Sequence, residues 1–142
     1  MNRIPFFIML MFFSEVEITH AQCPQIVWQD EFEQTSLDAK KWSFQMGDGC
    51  DINLCGWGNN EGQYYTNRSE NVIVENGVLK ITAKKESYQG SQYTSSRIKT
   101  QDKFEFTYGS VEVRAKLPSG IGTWPAIWML GANIDEGVNW PA

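Results

Sequence analysis

Two tryptophans four residues apart, Trp124 and Trp128, lie in the largely apolar segment 122–131. An indole ring is costly to expose, and its face stacks well on flat partners of low polarity. The pair therefore belongs either to a hydrophobic core or to a platform for a ligand such as a sugar ring. The residues upstream must decide between these interpretations.

A second concentration of useful side chains lies in residues 57–65, WGNNEGQYY. Asn and Gln amides both donate and accept hydrogen bonds, which suits hydroxyl groups, and Trp and Tyr offer faces to the C–H side of a pyranose. The composition alone fits even better with a loop that is held by its own hydrogen bonds and buries its aromatic rings. Both interpretations stay open at this point.

The cysteines are Cys23, Cys50 and Cys55. A disulfide between Cys50 and Cys55 would rigidify a short loop, with modest stabilisation because the closed loop is small. Metal binding is the weaker alternative, because the single histidine, His20, lies in the N-terminal segment and no second Cys or His cluster exists. Cys23 is either free or has its partner outside this sequence.

Residues 1–21 are typical of an export signal, with Arg3 before the apolar residues 4–13 and small residues before a cleavage point at Gln22. The apolar run is too short to span a bilayer. The alternatives are a buried helix and a lipid anchor on Cys23, for which Gln22 is a poor match. We predict a secreted or periplasmic protein, in which disulfides are permitted.

The composition limits the possible partners. The formal net charge is −5, and 13% of the residues are aromatic. An acidic balance of this kind provides no excess of positive charge to neutralise phosphates, so we predict neither a nucleic-acid nor a membrane partner. A neutral, ring-shaped ligand fits many aromatic residues and few basic clusters better.

The clearest structural signal is a predicted hairpin. Residues 71–75 and 78–83 are β-branched runs joined by Asn76-Gly77, and a type I′ turn needs positive φ at both central residues. The predicted buried face of the second strand consists of Leu79, Ile81 and Ala83.

Everything after Gln22 reads as β. Further strands are predicted over residues 26–28, 41–44, 96–100, 110–117 and 123–130. The segment 110–117 alternates apolar and polar residues, whereas 123–130 is apolar on both faces and is predicted to be central and covered. Residues 46–60 are predicted to form a long loop pinned by the two cysteines. Many short strands indicate an all-β sandwich or jelly roll, with one domain over residues 22–142.

Five ordered motifs carry a resemblance to a known family. They are WQDEF at 28–32, CGWGNNExQYYT at 55–66, YTSSRIKT at 93–100, YGSVEVRAKLP at 108–118 and GTWPAIWML at 122–130. Together they resemble the laminarinase-type endo-β-1,3-glucanases of glycoside hydrolase family 16. The resemblance extends from about Val27 to the end of the chain.

The resemblance implies a β-jelly-roll (concanavalin A-like) sandwich with an open cleft, which hydrolyses internal β-glucan bonds with retention. By motif position, the sugar-binding residues would be Asn59, Asn60, Arg97, Trp124 and Trp128. Arg97 would bind sugar hydroxyls or orient a catalytic carboxylate, and the two tryptophans would stack on rings. Some members hold a structural calcium, here through Glu31 and a backbone oxygen near Gly77. No other cofactor is expected.

The chain departs from the family at its catalytic strand. The family's nucleophile and acid/base lie in a Glu-Ile-Asp-Ile-x-Glu strand, and no Glu-x-Asp-x-x-Glu occurs here. Asp135 and Glu136 are adjacent and would point to opposite faces of a strand. We therefore expect the N-terminal portion of the domain, with its catalytic glutamates downstream of Ala142. We expect this chain by itself to be inactive and unstable, and the complete protein to be a monomer.

Two alternatives concern the function. The same scaffold occurs in glucan-binding proteins without the acidic pair, so a non-catalytic β-glucan-binding protein is the second hypothesis. The substrate could also be mixed-linkage β-1,3/1,4-glucan or an algal galactan. Residues 67–69, Asn-Arg-Ser, fit an N-glycosylation pattern that matters only in a eukaryotic secretory pathway.

Overall fold

A computed structural model of the chain describes residues 25–136, with side chains described over residues 25–134. The strands are β1 (Ser43–Phe44), β2 (Gln63–Tyr65), β3 (Val72–Glu75), β4 (Val78–Ile81), β5 (Lys84–Tyr88), β6 (Ser91–Ser95) and β7 (Ile98–Lys99). Short 3-10 helices cover Cys50–Ile52, Cys55–Gly58 and Ala132–Glu136. Over the described residues there is no α-helix, and no helix has the length and apolar character needed to cross a membrane. The predicted signal and its cleavage point lie outside the described residues.

The Asn76-Gly77 hairpin prediction is confirmed. Strands β3 and β4 pair antiparallel with Glu75 opposite Val78, and φ is 53° at Asn76 and 69° at Gly77. The prediction for the buried face of β4 is wrong in part, because Ile81 and Ala83 are exposed. Their partners on the same face of β3 are buried, since Val72 lies opposite Ile81 and Val74 lies opposite the half-buried Leu79, so the cover over this face reaches β3 and only part of β4.

A three-stranded sheet in the order β2-β6-β5 forms the centre of the described chain. Strands β5 and β6 form a second hairpin through Gln89 and Gly90, both of which have positive φ. This hairpin was not predicted from the sequence. Strand β2 runs parallel to β6, with Tyr65 opposite Ser95. This non-local pairing brings residues 57–65 beside residues 93–97.

The first predicted strand, residues 26–28, does not form. Its tryptophan, Trp28, instead meets the edge of Trp42 at a ring-centroid distance of 5.3 Å and stacks on Phe104 at 5.6 Å. The strand predicted around residues 41–44 is reduced to β1, which pairs antiparallel with β7. The strand predicted at 96–100 is likewise reduced to β7.

The strands predicted over residues 110–117 and 123–130 are also absent. The alternating apolar residues of the first segment are exposed, with Val113 at 56%, and the second segment is not covered. A strand needs a neighbour to accept and donate its backbone hydrogen bonds. Within residues 25–136 neither segment has one, so both lack the ladder that their side-chain patterns fit.

The interior is polar as well as apolar. Its buried apolar residues are Trp57, Val72 and Val74, and Thr66, Asn71 and Thr94 are fully buried polar ones. The amide of Asn71 donates to Thr94 Oγ1 (2.9 Å) and to the Thr82 carbonyl (3.0 Å), and its oxygen accepts from Thr66 and Arg68. This network ties the β3–β4 hairpin to the central sheet.

Candidate functional site

The loop over residues 46–60 is pinned, as predicted. It contains the Cys50–Cys55 disulfide, and the Leu54 amide donates to the Gly49 carbonyl at 2.8 Å. A side chain at Gly49 would lie 2.2 Å from the carbonyl oxygen of Leu54 and 3.2 Å from the ring of Trp57. Gly49 also has φ 85°, which glycine adopts readily. Glycine is therefore the residue that lets the loop close this tightly over the tryptophan.

Trp57 is the buried anchor of this loop. It is 6% exposed, and its indole N–H donates to the Gly47 carbonyl at 3.3 Å. Its φ is 50°, a left-handed conformation that costs on the order of 1–3 kcal/mol for such a residue and persists only where the surroundings enforce it. Gly47 exchanges two backbone hydrogen bonds with Tyr65, each 2.9 Å, so the loop is fixed directly onto β2.

The guanidinium of Arg97 lies among three aromatic rings. Its central carbon is 4.9 Å from the ring centroid of Trp57, 5.0 Å from that of Trp128 and 5.8 Å from that of Tyr65. The ion pairs among residues 25–134 do not include Arg97. Among the described residues, aromatic faces rather than a carboxylate therefore hold this cation. We call Arg97, Trp57, Tyr65 and Trp128 the Arg97 cluster.

A carboxylate, Glu61, borders the Arg97 cluster. Its Oε2 accepts from Gln63 Nε2 at 2.6 Å and from the Tyr65 hydroxyl at 2.8 Å, and its Oε1 is 3.5 Å from Asn59 Nδ2. Burial, followed by the hydrogen bond to Glu61 and the charge of Glu61, raises the pKa of Tyr65 from 10.0 to about 12. The phenol is thus a permanent donor to this carboxylate at neutral pH.

The structure brings together some of the predicted sugar-binding residues. Arg97 and Trp128 meet in the Arg97 cluster, and Asn59 reaches it through Glu61. Asn60 is exposed in the adjoining turn with φ 56°. Trp124 is 82% exposed and makes no ring contact with the described residues, so it is not part of the cluster. The roles of all five as sugar ligands stay predictions.

Sequence reasoning left Trp57, Glu61 and Tyr65 out of the candidate site. Trp57 is buried, as the interpretation of residues 57–65 as a self-supporting loop predicts, and it also faces Arg97, while the interpretation as a sugar platform stays a prediction. The sequence contained a usable signal, because Trp57, Glu61 and Tyr65 all lie in the stretch 57–65 that is rich in aromatic and amide side chains. What it lacked was the parallel pairing of β2 with β6, which brings Arg97 next to this loop.

The groups predicted to hold calcium are Glu31 and a backbone oxygen near Gly77, both in the described part of the chain. Glu31 and Gly77 are both exposed, and no group of three acidic, Cys or His side chains there could hold an ion. Calcium takes about six to eight oxygen ligands. The neighbouring carboxylate, Asp30, accepts from Trp42 Nε1 at 2.8 Å and from the Phe32 amide at 3.0 Å, which gives it a structural role. The calcium site stays an untested prediction.

A β-scaffold that presents an arginine among aromatic faces, with amide side chains and a carboxylate beside it, has the chemistry that suits a carbohydrate-binding type of site. The family comparison agrees with this class. Residues 59–138 match the model of glycosyl hydrolases family 16. The chain therefore belongs to glycosyl hydrolases family 16, and the resemblance seen in its motifs is confirmed.

Individual relatives are similar over most of this chain. It is 52% identical to a beta-glucanase from Rhodothermus marinus over 108 residues, which are 75% of this chain and 36% of that protein. The solved laminarinase from Flavobacterium sp. UMI-01 superposes with a TM-score of 0.73 at 56% identity, covering 82% of this chain and 47% of that one. A beta-1,3-glucan-binding protein from Penaeus monodon is 55% identical over 49 residues, 34% of this chain and 13% of that protein.

The chain thus spans less than half the length of each of these proteins. The all-β jelly-roll class predicted from the sequence is confirmed by the solved laminarinases that it superposes on. Residues 110–117 and 123–130 belong to two of the motifs that carry the family resemblance. In the described part of this chain, both segments lack strand partners.

Proposed function

We propose that this protein is an endo-β-1,3-glucanase that hydrolyses internal bonds of laminarin-type glucans with retention of configuration. The observation that carries the proposal is the Arg97 cluster, a cation held by Trp57 and Trp128 on a chain that belongs to family 16. Mixed-linkage β-1,3/1,4-glucan is the nearest alternative substrate. Relatives named for glucan hydrolysis support this proposal.

The residues described here bind and orient the polysaccharide. The guanidinium of Arg97 supplies donors to sugar hydroxyls, while the indole of Trp128, 49% exposed, offers a face to the apolar side of a ring. Asn59 and Asn60 add donors and acceptors at the rim of the same loop. Trp124 is exposed and would stack on another sugar ring of the same glucan chain.

The chemical step requires two carboxyl groups about 5–5.5 Å apart, one as nucleophile and one as proton donor. We propose that glutamates downstream of Ala142 in the full-length gene product supply them. The carboxylates described here are poor candidates. Asp30 is occupied by Trp42 and Phe32, and Oε2 of Glu61 accepts from two donors.

The test is hydrolysis of laminarin by the full-length gene product. We expect release of internal oligosaccharides, with the β-anomer appearing first by NMR because retention passes through two displacements. Glutamate-to-glutamine variants of the proposed catalytic pair, compared with Glu105→Gln on an exposed site, should lose this activity while the control keeps it. No hydrolysis of laminarin, mixed-linkage glucan or galactan would contradict the proposal.

A second function, non-catalytic glucan binding, is favoured by the similarity to the beta-1,3-glucan-binding protein of Penaeus monodon. The two functions share the Arg97 cluster and differ in the glutamate pair. Laminarin binding without release of reducing sugar, from a full-length product that lacks Glu-x-Asp-x-x-Glu, would select the binding protein.

We further propose that the protein is exported and acts as a monomer. The charge pattern of residues 1–21 and the Cys50–Cys55 disulfide support export. Mass spectrometry of the mature protein should give Gln22 as its first residue, and a product that retains Met1 would contradict export by this signal. Sizing should give one copy per particle.

A further inference from the structure

We propose that Glu61 is a positioning residue that holds Arg97 in place through the ring of Tyr65. The inference deepens the proposed function and rests on it, because the cation it positions is the one that would bind the glucan. Glu61 itself touches neither substrate nor reacting atoms in this proposal.

The chain of contacts is continuous. The carboxylate of Glu61 accepts the Tyr65 hydroxyl at 2.8 Å, and the face of the same phenol ring lies 5.8 Å from the guanidinium carbon of Arg97. The Tyr65 ring also packs on Trp57, at 5.9 Å between centroids. The hydroxyl of Tyr65 therefore contacts a carboxylate, and the face of its ring contacts a cation.

This arrangement strengthens the hold on the cation. A phenol that donates to a carboxylate is polarised, since hydrogen bonds in a low-dielectric surrounding polarise one another. Electron density moves towards the ring, and a more negative ring face attracts a guanidinium more strongly. Because no carboxylate among residues 25–134 pairs directly with Arg97, the aromatic faces are what fixes its position.

Glu61 is itself held firmly enough to act in this way. Its backbone N–H donates to the Gly56 carbonyl at 3.0 Å, and its side chain takes a second hydrogen bond from Gln63 at 2.6 Å. A side chain at Gly56 would lie 3.2 Å from the Glu61 nitrogen, so the loop and the start of β2 are in close contact. The carboxylate is therefore preorganised rather than recruited by a ligand.

The experiment compares Glu61→Gln, Tyr65→Phe and the double variant in the full-length protein, with Glu105→Gln as the matched control. Glutamine keeps the shape and one acceptor but removes the charge. We expect Glu61→Gln to weaken laminarin affinity by about threefold, the size of a partly exposed cation–π contact. The value of kcat should change far less than KM. Tyr65→Phe should have a similar effect, and the double variant little more.

Two NMR signals separate this inference from the proposed function. In Glu61→Gln, the Arg97 side-chain protons should lose part of their ring-current shift, and the pKa of Tyr65 should fall towards 10.0 without reaching it, because burial is its largest cause. Additive effects of the two single variants, or an Arg97 spectrum unchanged from that of Glu105→Gln, would overturn the inference. A wild type that neither binds nor cuts laminarin would instead overturn the proposed function, and the Arg97 spectra would still test the positioning.

Discussion

Residues 63–99 and residues 110–130 carry equally good strand patterns, yet only the first segment is built into sheets. In the first, β2, β5 and β6 share ladders and Asn71 ties a hairpin to them. In the second, the alternating residues around Val113 are exposed and no ladder forms within the described chain. Side-chain alternation therefore indicates which face would be buried, but a strand forms only when a partner supplies its backbone hydrogen bonds.

The largest expected difference between the two segments is in amide hydrogen exchange. In the 142-residue chain, the β3 amides of Ile73 and Glu75, which face β4, should exchange on the order of 100-fold more slowly than those at Val111 and Val113, because only the former donate within a ladder. Mass-resolved exchange measures this directly. Equal protection, or a monomeric chain with a single cooperative thermal transition involving both segments, would remove the contrast.

The second prediction concerns a substitution at Asn71, in the buried polar network of residues 63–99. Asn71→Ala removes four hydrogen bonds and leaves the buried Thr66 hydroxyl without its acceptor, so the free energy of unfolding should fall by about 3 kcal/mol. Urea denaturation of the full-length protein gives this value. Asn67→Ala, on an exposed residue nearby, should stay within about 0.5 kcal/mol; similar losses in both would mean that the network contributes little.

The third prediction contrasts two tryptophans that share Arg97. Trp57→Ala, in the ordered segment, should destabilise by about 3 kcal/mol because the ring is buried. Trp128→Ala, in residues 110–130, should weaken the binding of laminarin oligosaccharides by about fivefold, because one stacked ring is lost. Calorimetric titration and thermal unfolding separate the two effects. A larger loss of stability than of binding for Trp128→Ala would place that residue in the core.

The smallest expected effect concerns pH. A hydrogen bond from Thr94, followed by one from Arg68, lowers the pKa of Glu86 below its ordinary 4.5. A carboxyl with a lowered folded-state pKa stabilises above its unfolded value and loses that contribution as pH falls through the folded value. The melting temperature of the wild type should therefore exceed that of Glu86→Gln at neutral pH, and the difference should disappear below pH 4.5. A gap independent of pH would mean that the charge of Glu86 is not the cause.

Much of the ordered segment was accessible from sequence because its signals are local. Asn76-Gly77 specifies its own turn, and two cysteines five residues apart specify a pinned loop. The Gln89-Gly90 hairpin was missed because glutamine is not a residue whose type favours positive φ. The strands predicted at 26–28, 110–117 and 123–130 failed for a different reason, since each depends on partners that side-chain patterns do not name.

The candidate site divides in the same way. Arg97 and Trp128 came from motif resemblance, and the structure brings them together. Their neighbours Tyr65 and Trp57 were not predicted as site residues because they reach Arg97 only through the parallel pairing of β2 with β6. Single-sequence reasoning has no measure of such non-local pairing, although it identified residues 57–65 as chemically rich.

The Cys50–Cys55 bond has a practical consequence for anyone producing this protein. Cytosolic thiols are kept reduced, so a chain made in the cytosol of an expression host would begin with an open loop around the left-handed Trp57. Material secreted by the host, or refolded with an oxidant, would begin with that loop closed. Two laboratories that measure glucan affinity on the two preparations should therefore compare their thiol content before they compare their constants.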